Sequence, residues 1–131
     1  MSGAIQKDSN TKQSIMNYNK LLIELFCAID TSEWRQLTTV FHSNIIYERP
    51  GYVPFVGIPQ LLNFYQKERI IKSGKHYIEH IAIDGNYGAC WGRFVGSIKD
   101  GSQVDELFAD TYFFEDRKIK NRRSYFFRPA I

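Results

Sequence analysis

Residues 87–129 read YGACWGRFVGSIKDGSQVDELFADTYFFEDRKIKNRRSYFFRP, and this stretch decides the fold. Three runs rich in aromatic and β-branched residues, Tyr87 to Lys99, Val104 to Glu115 and Lys118 to Pro129, are separated by Asp100-Gly101 and Asp116-Arg117. An Asp-Gly pair between two such runs is a strong hairpin signal, because glycine accepts the positive φ of a primed turn. The pattern predicts three long, consecutive, antiparallel strands. Side chains alternate between the faces of a strand, so Glu106, Phe108, Asp110, Tyr112 and Phe114 share one face of the second run. In the first run Tyr87, Ala89, Trp91, Arg93 and Val95 share a face, and Cys90, Gly92 and Phe94 take the other. Asp110 is the anomaly. A carboxylate in a run that is apolar on both faces needs a partner or a wet cavity.

Toward the N-terminus, Lys75 to Ile83 alternates as a fourth strand and turns at Asp84-Gly85. Before it, Pro59 suits a first helical turn. Leu61, Leu62, Tyr65 and Arg69 follow at helical spacing, and Ser73-Gly74 reads as the helix end. Asn44 to Glu48 reads as a short strand stopped by Pro50-Gly51. Trp34, Leu37, Val40 and Phe41 form the stripe of a short helix, with Asp30-Thr31-Ser32 as its cap. Ile15, Tyr18, Leu22, Leu25, Phe26 and Ile29 mark an amphipathic helix from Ser14. Residues 1–12 are polar and expected to fray. The order is helix, helix, short strand, helix, then four long strands. It predicts a single α+β domain over residues 1–131. A curved antiparallel sheet wraps around N-terminal helices and forms a cone with an internal pocket.

The totals agree with that reading. A chain of 131 residues suffices for one domain with a real core. Its aromatic share of 15% suits a sheet that walls a cavity. No apolar run reaches the length of a membrane span, and the N-terminus carries no signal-like apolar segment, so a cytoplasmic protein without a membrane partner is expected. Cys27 and Cys90 lack metal spacing and read as buried free thiols. A net charge of +3 is too weak to imply nucleic acid. The basic run Arg117, Lys118, Lys120, Arg122, Arg123 and Arg128 alternates between two faces and reads as a solvated turn and sheet rim.

Several stretches carry a resemblance. They are Asp30-Thr31-Ser32-Glu33-Trp34 with Leu37 and Phe41; Tyr47-Glu48-Arg49-Pro50; Gly57 with Leu61, Phe64 and Tyr65; Phe108 to Phe114; and Lys118-Ile119 leading to Tyr125-Phe126-Phe127. The chain resembles the nuclear transport factor 2-like, or cystatin-like, α+β cone. Within that superfamily it is similar to SnoaL-like polyketide cyclases and ketosteroid isomerases. The isomerase general base falls on Arg49, its oxyanion-hole tyrosine on Leu25 and its oxyanion-hole acid on Asp110. Because an arginine cannot abstract a proton at neutral pH, ketosteroid isomerase activity itself is not expected. The resemblance does imply that positions 49 and 110 face the cavity, and it places His76 on the cavity wall.

Three candidate catalytic residues follow: Asp110 and His76 for proton transfer, and Arg49 to stabilise enolate charge. In one reading Asp110 titrates in an apolar pocket and orients His76. In the other it is locked in an ion pair with Arg49 or Arg93. Arg49 and Arg93 together would favour an anionic or polyoxygenated ligand. Tyr47, Tyr65, Trp91, Phe108 and Tyr112 are candidate substrate-binding wall residues, with Arg93 beside them. His42 reads as a cap, and His80 shares the parity of His76. No metal motif and no cofactor fingerprint are present, so neither is expected. The sequence thus points to a cofactor-independent isomerase, cyclase or dehydratase acting on a polyketide-like or other small carbonyl substrate. A non-catalytic ligand-binding protein or a protein–protein adaptor of the same fold is the alternative. Aromatic residues such as Phe94, Phe113 and Phe127 suggest a homodimer through the outer sheet face.

Overall fold

The computed structural model describes residues 18–128, so the helix start at Ser14, residues 1–12 and Pro129 lie outside the described residues. Helix α1 occupies residues 18–30. A 3₁₀ turn over Trp34–Gln36 runs into α2 (Leu37–Val40), followed by β1 (Phe41–Glu48) and β2 (Phe55–Val56). Helix α3 (Ile58–Asn63) ends in one wide turn over Phe64–Glu68. Strands β3 (Ile71–Asp84), β4 (Tyr87–Ile98), β5 (Gln103–Glu115) and β6 (Lys118–Phe126) complete the fold.

The six strands form one sheet in the order β2-β1-β6-β5-β4-β3. Strands β3 to β6 are consecutive antiparallel neighbours, as the hairpin signals require. Strand β1 joins β6 in parallel, which makes the sheet mixed rather than wholly antiparallel. The turns are built as their residues predict. Gly101 has φ 92°, while Asp116 and Arg117 have φ 53° and 61°, the left-handed pair of a two-residue hairpin turn.

Helix α1 closes the concave face of the sheet. Its stripe of Tyr18, Leu22, Leu25, Phe26 and Ile29 is buried while Lys20, Ile23 and Glu24 face solvent. Tyr18 stacks on Phe114 at 4.1 Å, and the Phe26 ring lies 5.6 Å from Phe108, so the helix lies over the inner face of β5. Burying a leucine such as Leu22 or Leu25, both fully buried, contributes about 2 kcal/mol.

Several sequence expectations change. Phe41 opens β1 instead of closing a helix, and the two-residue β2 carried no readable signal. Ser73-Gly74 does not end α3; both residues lie inside β3. Gly74 is required there because a Cβ would meet Cζ of Phe94 at 2.2 Å. The residues Asp30-Thr31-Ser32 do not cap α2, whose preceding turn has no side-chain cap. Cys27 is exposed, and only Cys90 is buried. Burial, with Asp110 nearby, pushes the Cys90 thiol up to about 12.

Strand parity also departs from simple alternation. Cys90 pairs directly with Asp110 across β4 and β5, so Cys90, Gly92 and Phe94 point inward. Trp91 and Arg93 therefore point outward, and Phe94 is a core residue instead of an outer one. A bulge at Glu79 breaks the β3 register between Ile78 and His80, placing His80 on the outer face, 5.6 Å from Trp91. A second bulge, at Lys120, breaks the β5–β6 register between Phe113 and Phe114. It sets Arg122 opposite Tyr112 and turns it inward.

Candidate functional site

The inner face of β5 and β6 carries a closed polar network. Asp110, 1% exposed, accepts hydrogen bonds from Tyr112 Oη (2.9 Å), Arg122 Nε (2.9 Å) and Ser124 Oγ (2.6 Å). Arg122 Nη2 adds a contact of 2.8 Å. The Ser124 hydroxyl spends its one proton on the carboxylate, which can only accept. Tyr47 Oη therefore donates to Ser124 Oγ (2.7 Å), and Arg49 Nη1 donates to Tyr47 Oη (3.0 Å). The other end of Arg122 donates to Tyr65 Oη at 2.7 Å. Burial is the largest single influence on Arg122 and would weaken its hold on the proton, but Asp110 together with Tyr65, Tyr47 and Tyr112 outweighs it and raises the pKa well above the usual value. Burial raises Tyr112 and Tyr65, so both stay protonated, Tyr112 donating to Asp110 and Tyr65 accepting from Arg122.

This network corrects the sequence reading. The partner of Asp110 is Arg122, not Arg49 or Arg93. Arg122 had looked like part of a solvated basic rim, yet it is 4% exposed. Arg93 lies outside the site on the outer face, paired with Asp105 at 2.6 Å. Trp91 is 40% exposed on that face and does not line the cavity. Tyr47, Tyr65, Phe108 and Tyr112 are buried on the inner side, and Arg49 is buried between the Phe64 and Phe126 rings.

A second group gathers where α1 meets β3. Asp30, the last residue of α1, accepts the His76 backbone N–H at 2.8 Å and pairs with His76 Nδ1 at 2.5 Å. The imidazole is oriented by Asp30 and not by Asp110. Because the carboxylate can only accept, Nδ1 carries the proton and Nε2 is left as the basic nitrogen. Burial lowers the His76 pKa against the opposing pull of Asp30, which keeps the ring neutral at pH 7. Phe26, Phe94 and Phe108 fix it at ring distances of 4.7, 4.7 and 5.3 Å.

Three spaces meet at this pair. An apolar recess of ≈430 Å³ between α1 and β3 is lined by Ile23, Phe26, Cys27 and Ile78, with Asp30 and His76 in its wall. A polar recess of ≈70 Å³ is lined by Asp30, Ser32, Lys72, Ser73 and Arg69. Inside the cone, a cavity of only ≈20 Å³ is bounded by Arg49, Arg69, His76, Phe108, Asp110 and Arg122, room for about one water. A larger recess of ≈540 Å³, along Tyr52 to Phe55 and Pro59 to Asn63, contains no imidazole and no cation.

Among the described residues, one grouping has metal-ligating geometry: His42 Nε2 lies 3.4 Å from Glu115 and 3.3 Å from Asp116. The Asn44 N–H donates to His42 Nδ1 at 3.0 Å. That bond keeps the ring proton on Nε2, where it serves the two carboxylates and blocks the nitrogen a metal would need.

Sequence reasoning missed Asp30, Arg69, Arg122 and Ser124. Asp30 is 46 positions from His76 and had a local explanation as a cap. Arg122 and Ser124 face inward only because of the bulge at Lys120.

The SnoaL-like domain model matches residues 22–122, which include both groups apart from Ser124. The chain belongs to the SnoaL-like domain family. No curated protein matches this SnoaL-like chain. Among solved structures it is similar to a SnoaL-like polyketide cyclase from Jannaschia sp. CCS1, with a TM-score of 0.76, 12% identity and 86% of each chain covered. It is also similar to a nuclear transport factor 2-like protein of unknown function from Burkholderia pseudomallei (TM-score 0.78, 12% identity, 84% of this chain and 90% of that one). A third is an LEH-like epoxide hydrolase from M. tuberculosis (TM-score 0.73, 15% identity, 89% of this chain and 84% of that one). At these identities the likeness establishes the shared cone, and the chemistry rests on the residues above.

Proposed function

We propose that the SnoaL-like chain is a cofactor-independent isomerase, cyclase or dehydratase of the cytoplasm that moves a proton on a small carbonyl substrate. The observation that carries this reading is the His76–Asp30 pair at the junction of the three spaces. His76 is a neutral imidazole held in one tautomer, with Nε2 as its base. An apolar recess beside it suits the body of a polyketide-like or similar substrate. Arg49, in the inner cavity wall, would stabilise enolate charge as a preorganised donor. Asp110 serves as the anchor of Arg122, because four donors already occupy its oxygens.

The test is solvent-deuterium incorporation, read by NMR, into a panel of β-keto acids and esters. Wild-type protein should accelerate exchange, and His76→Gln should slow it by about a hundredfold or more. Equal exchange in both proteins would sink the catalytic role. Cys27, exposed in the recess wall, supplies an independent readout: a bound substrate should protect it from alkylation.

The small inner cavity supports a second reading, a non-catalytic ligand-binding protein or adaptor. Under it, Cys27 protection would occur without deuterium exchange. The outer face exposes Tyr87, Trp91, Leu107, Tyr125 and Phe127, and this apolar area supports a homodimer through that face. Light scattering of wild type against Trp91→Lys tests it; a monomeric wild type would refute it.

A further inference from the structure

We infer that the ≈70 Å³ polar recess is a carboxylate-binding subsite anchored by Arg69. Arg69 is 9% exposed, and its guanidinium lies over the rings of Tyr65 (5.5 Å) and Phe94 (5.7 Å). Its Nε has no hydrogen-bond partner, and among the described residues no carboxylate pairs with it. A buried, unpaired cation is an arrangement folded proteins avoid unless something else supplies the counter-charge. The fork of a guanidinium matches a carboxylate in two parallel hydrogen bonds.

The surroundings agree. Lys72, Ser73 and Ser32 line the recess and are exposed, giving an anion a path from solvent and further donors once inside. Asp30, the one acid in the wall, is already engaged by the backbone and ring of His76. Lysine and arginine therefore leave the recess positive. Its volume holds a few waters, the size of a carboxylate and not of a bulky group. Arg69 also borders the inner cavity that His76 lines. An acid anchored there would lie beside the imidazole, with its apolar body in the ≈430 Å³ recess. That last step rests on the proposed role of His76; the anion site itself does not.

The experiment is thermal unfolding of the full-length protein titrated with acetoacetate, with chloride and inorganic phosphate at matched ionic strength as comparisons. Wild type should show a saturable rise in Tm with acetoacetate, a weaker one with phosphate and none with chloride. Arg69→Met should lose the rise, and Arg69→Lys, which keeps charge but loses the fork, should weaken apparent binding by about tenfold. His76→Gln should keep the rise, so a failure of proton transfer and a failure of this subsite are separable. A rise that survives unchanged in both Arg69 variants overturns the inference. A response to chloride or phosphate equal to that with acetoacetate overturns the carboxylate assignment.

Discussion

Arg122 and Arg69 are both buried in one cone, and they sit in opposite surroundings. Arg122 meets Asp110 through Nε and Nη2 and Tyr65 through Nη1, so each of its guanidinium nitrogens has a partner. Arg69 has two ring faces and an unpartnered Nε. Their pKa values move in opposite directions: Asp110 and the surrounding tyrosines together raise Arg122 despite its burial, while burial lowers Arg69. The closed network fixes the register of β5 against β6. The open group borders the inner cavity that His76 also lines. The contrast separates a buried charge that holds the fold from one placed to receive a ligand.

The largest effect is expected from breaking the closed side. Asp110→Ala leaves Arg122 buried without its counter-charge and should cost about 3–5 kcal/mol in urea unfolding. Asp110→Leu combined with Arg122→Met should recover most of that loss, because an apolar pair replaces an ionic one of similar volume. A double variant no better than Asp110→Ala would show that the network does more than neutralise itself.

The next effect lies on the open side. His76→Gln should lower proton exchange by about a hundredfold or more while changing stability far less than Asp110→Ala. Arg69→Met, without ligand, should change stability in the opposite sense to Asp110→Ala, raising it by about 1 kcal/mol as the unpaired charge is removed. A loss as large as that of Asp110→Ala would erase the contrast between the two arginines.

A smaller effect concerns pH. The folded-state pKa of His76 lies below its unfolded value, near 6.5, so the unfolded chain binds the extra proton first. The contribution of the neutral ring is fully present above pH 6.5. It is lost as pH falls through the folded value. Denaturant melts from pH 7.5 to 5 should show this acid slope in wild type and a shallower one in His76→Gln. Asp30, Arg69 and Arg122 are the charged groups acting on the ring.

The smallest effect is on the outer face. Arg93→Ala removes an exposed ion pair with Asp105 and should cost no more than about 0.5 kcal/mol, with exchange unchanged. A marked loss of exchange would mean that the outer face takes part in the chemistry.

The sequence made the hairpins legible because turn chemistry is local: Asp100-Gly101 and Asp116-Arg117 sit where the chain turns. The α1 stripe and the shared face of Phe108, Asp110, Tyr112 and Phe114 followed from period alone. In β4 the period was ambiguous, since Trp91 and Val95 on one face compete with Cys90 and Phe94 on the other. Only the direct pairing of Cys90 with Asp110 decides between them.

The α+β order was legible in the sequence from spacing within each element, while the family and the inward position of Asp110 were legible from the several stretches that carry the resemblance. The tertiary structure decided who meets whom. One extra residue at Glu79 sends His80 outward, and another at Lys120 brings Arg122 inward. A bulge flips every side chain beyond it while leaving no mark in local composition. Asp30 reaches His76, and Arg69 remains without a counter-charge, because α1 and the turn after α3 converge on β3. That convergence is set by burial of the whole core, not by any short stretch of the chain.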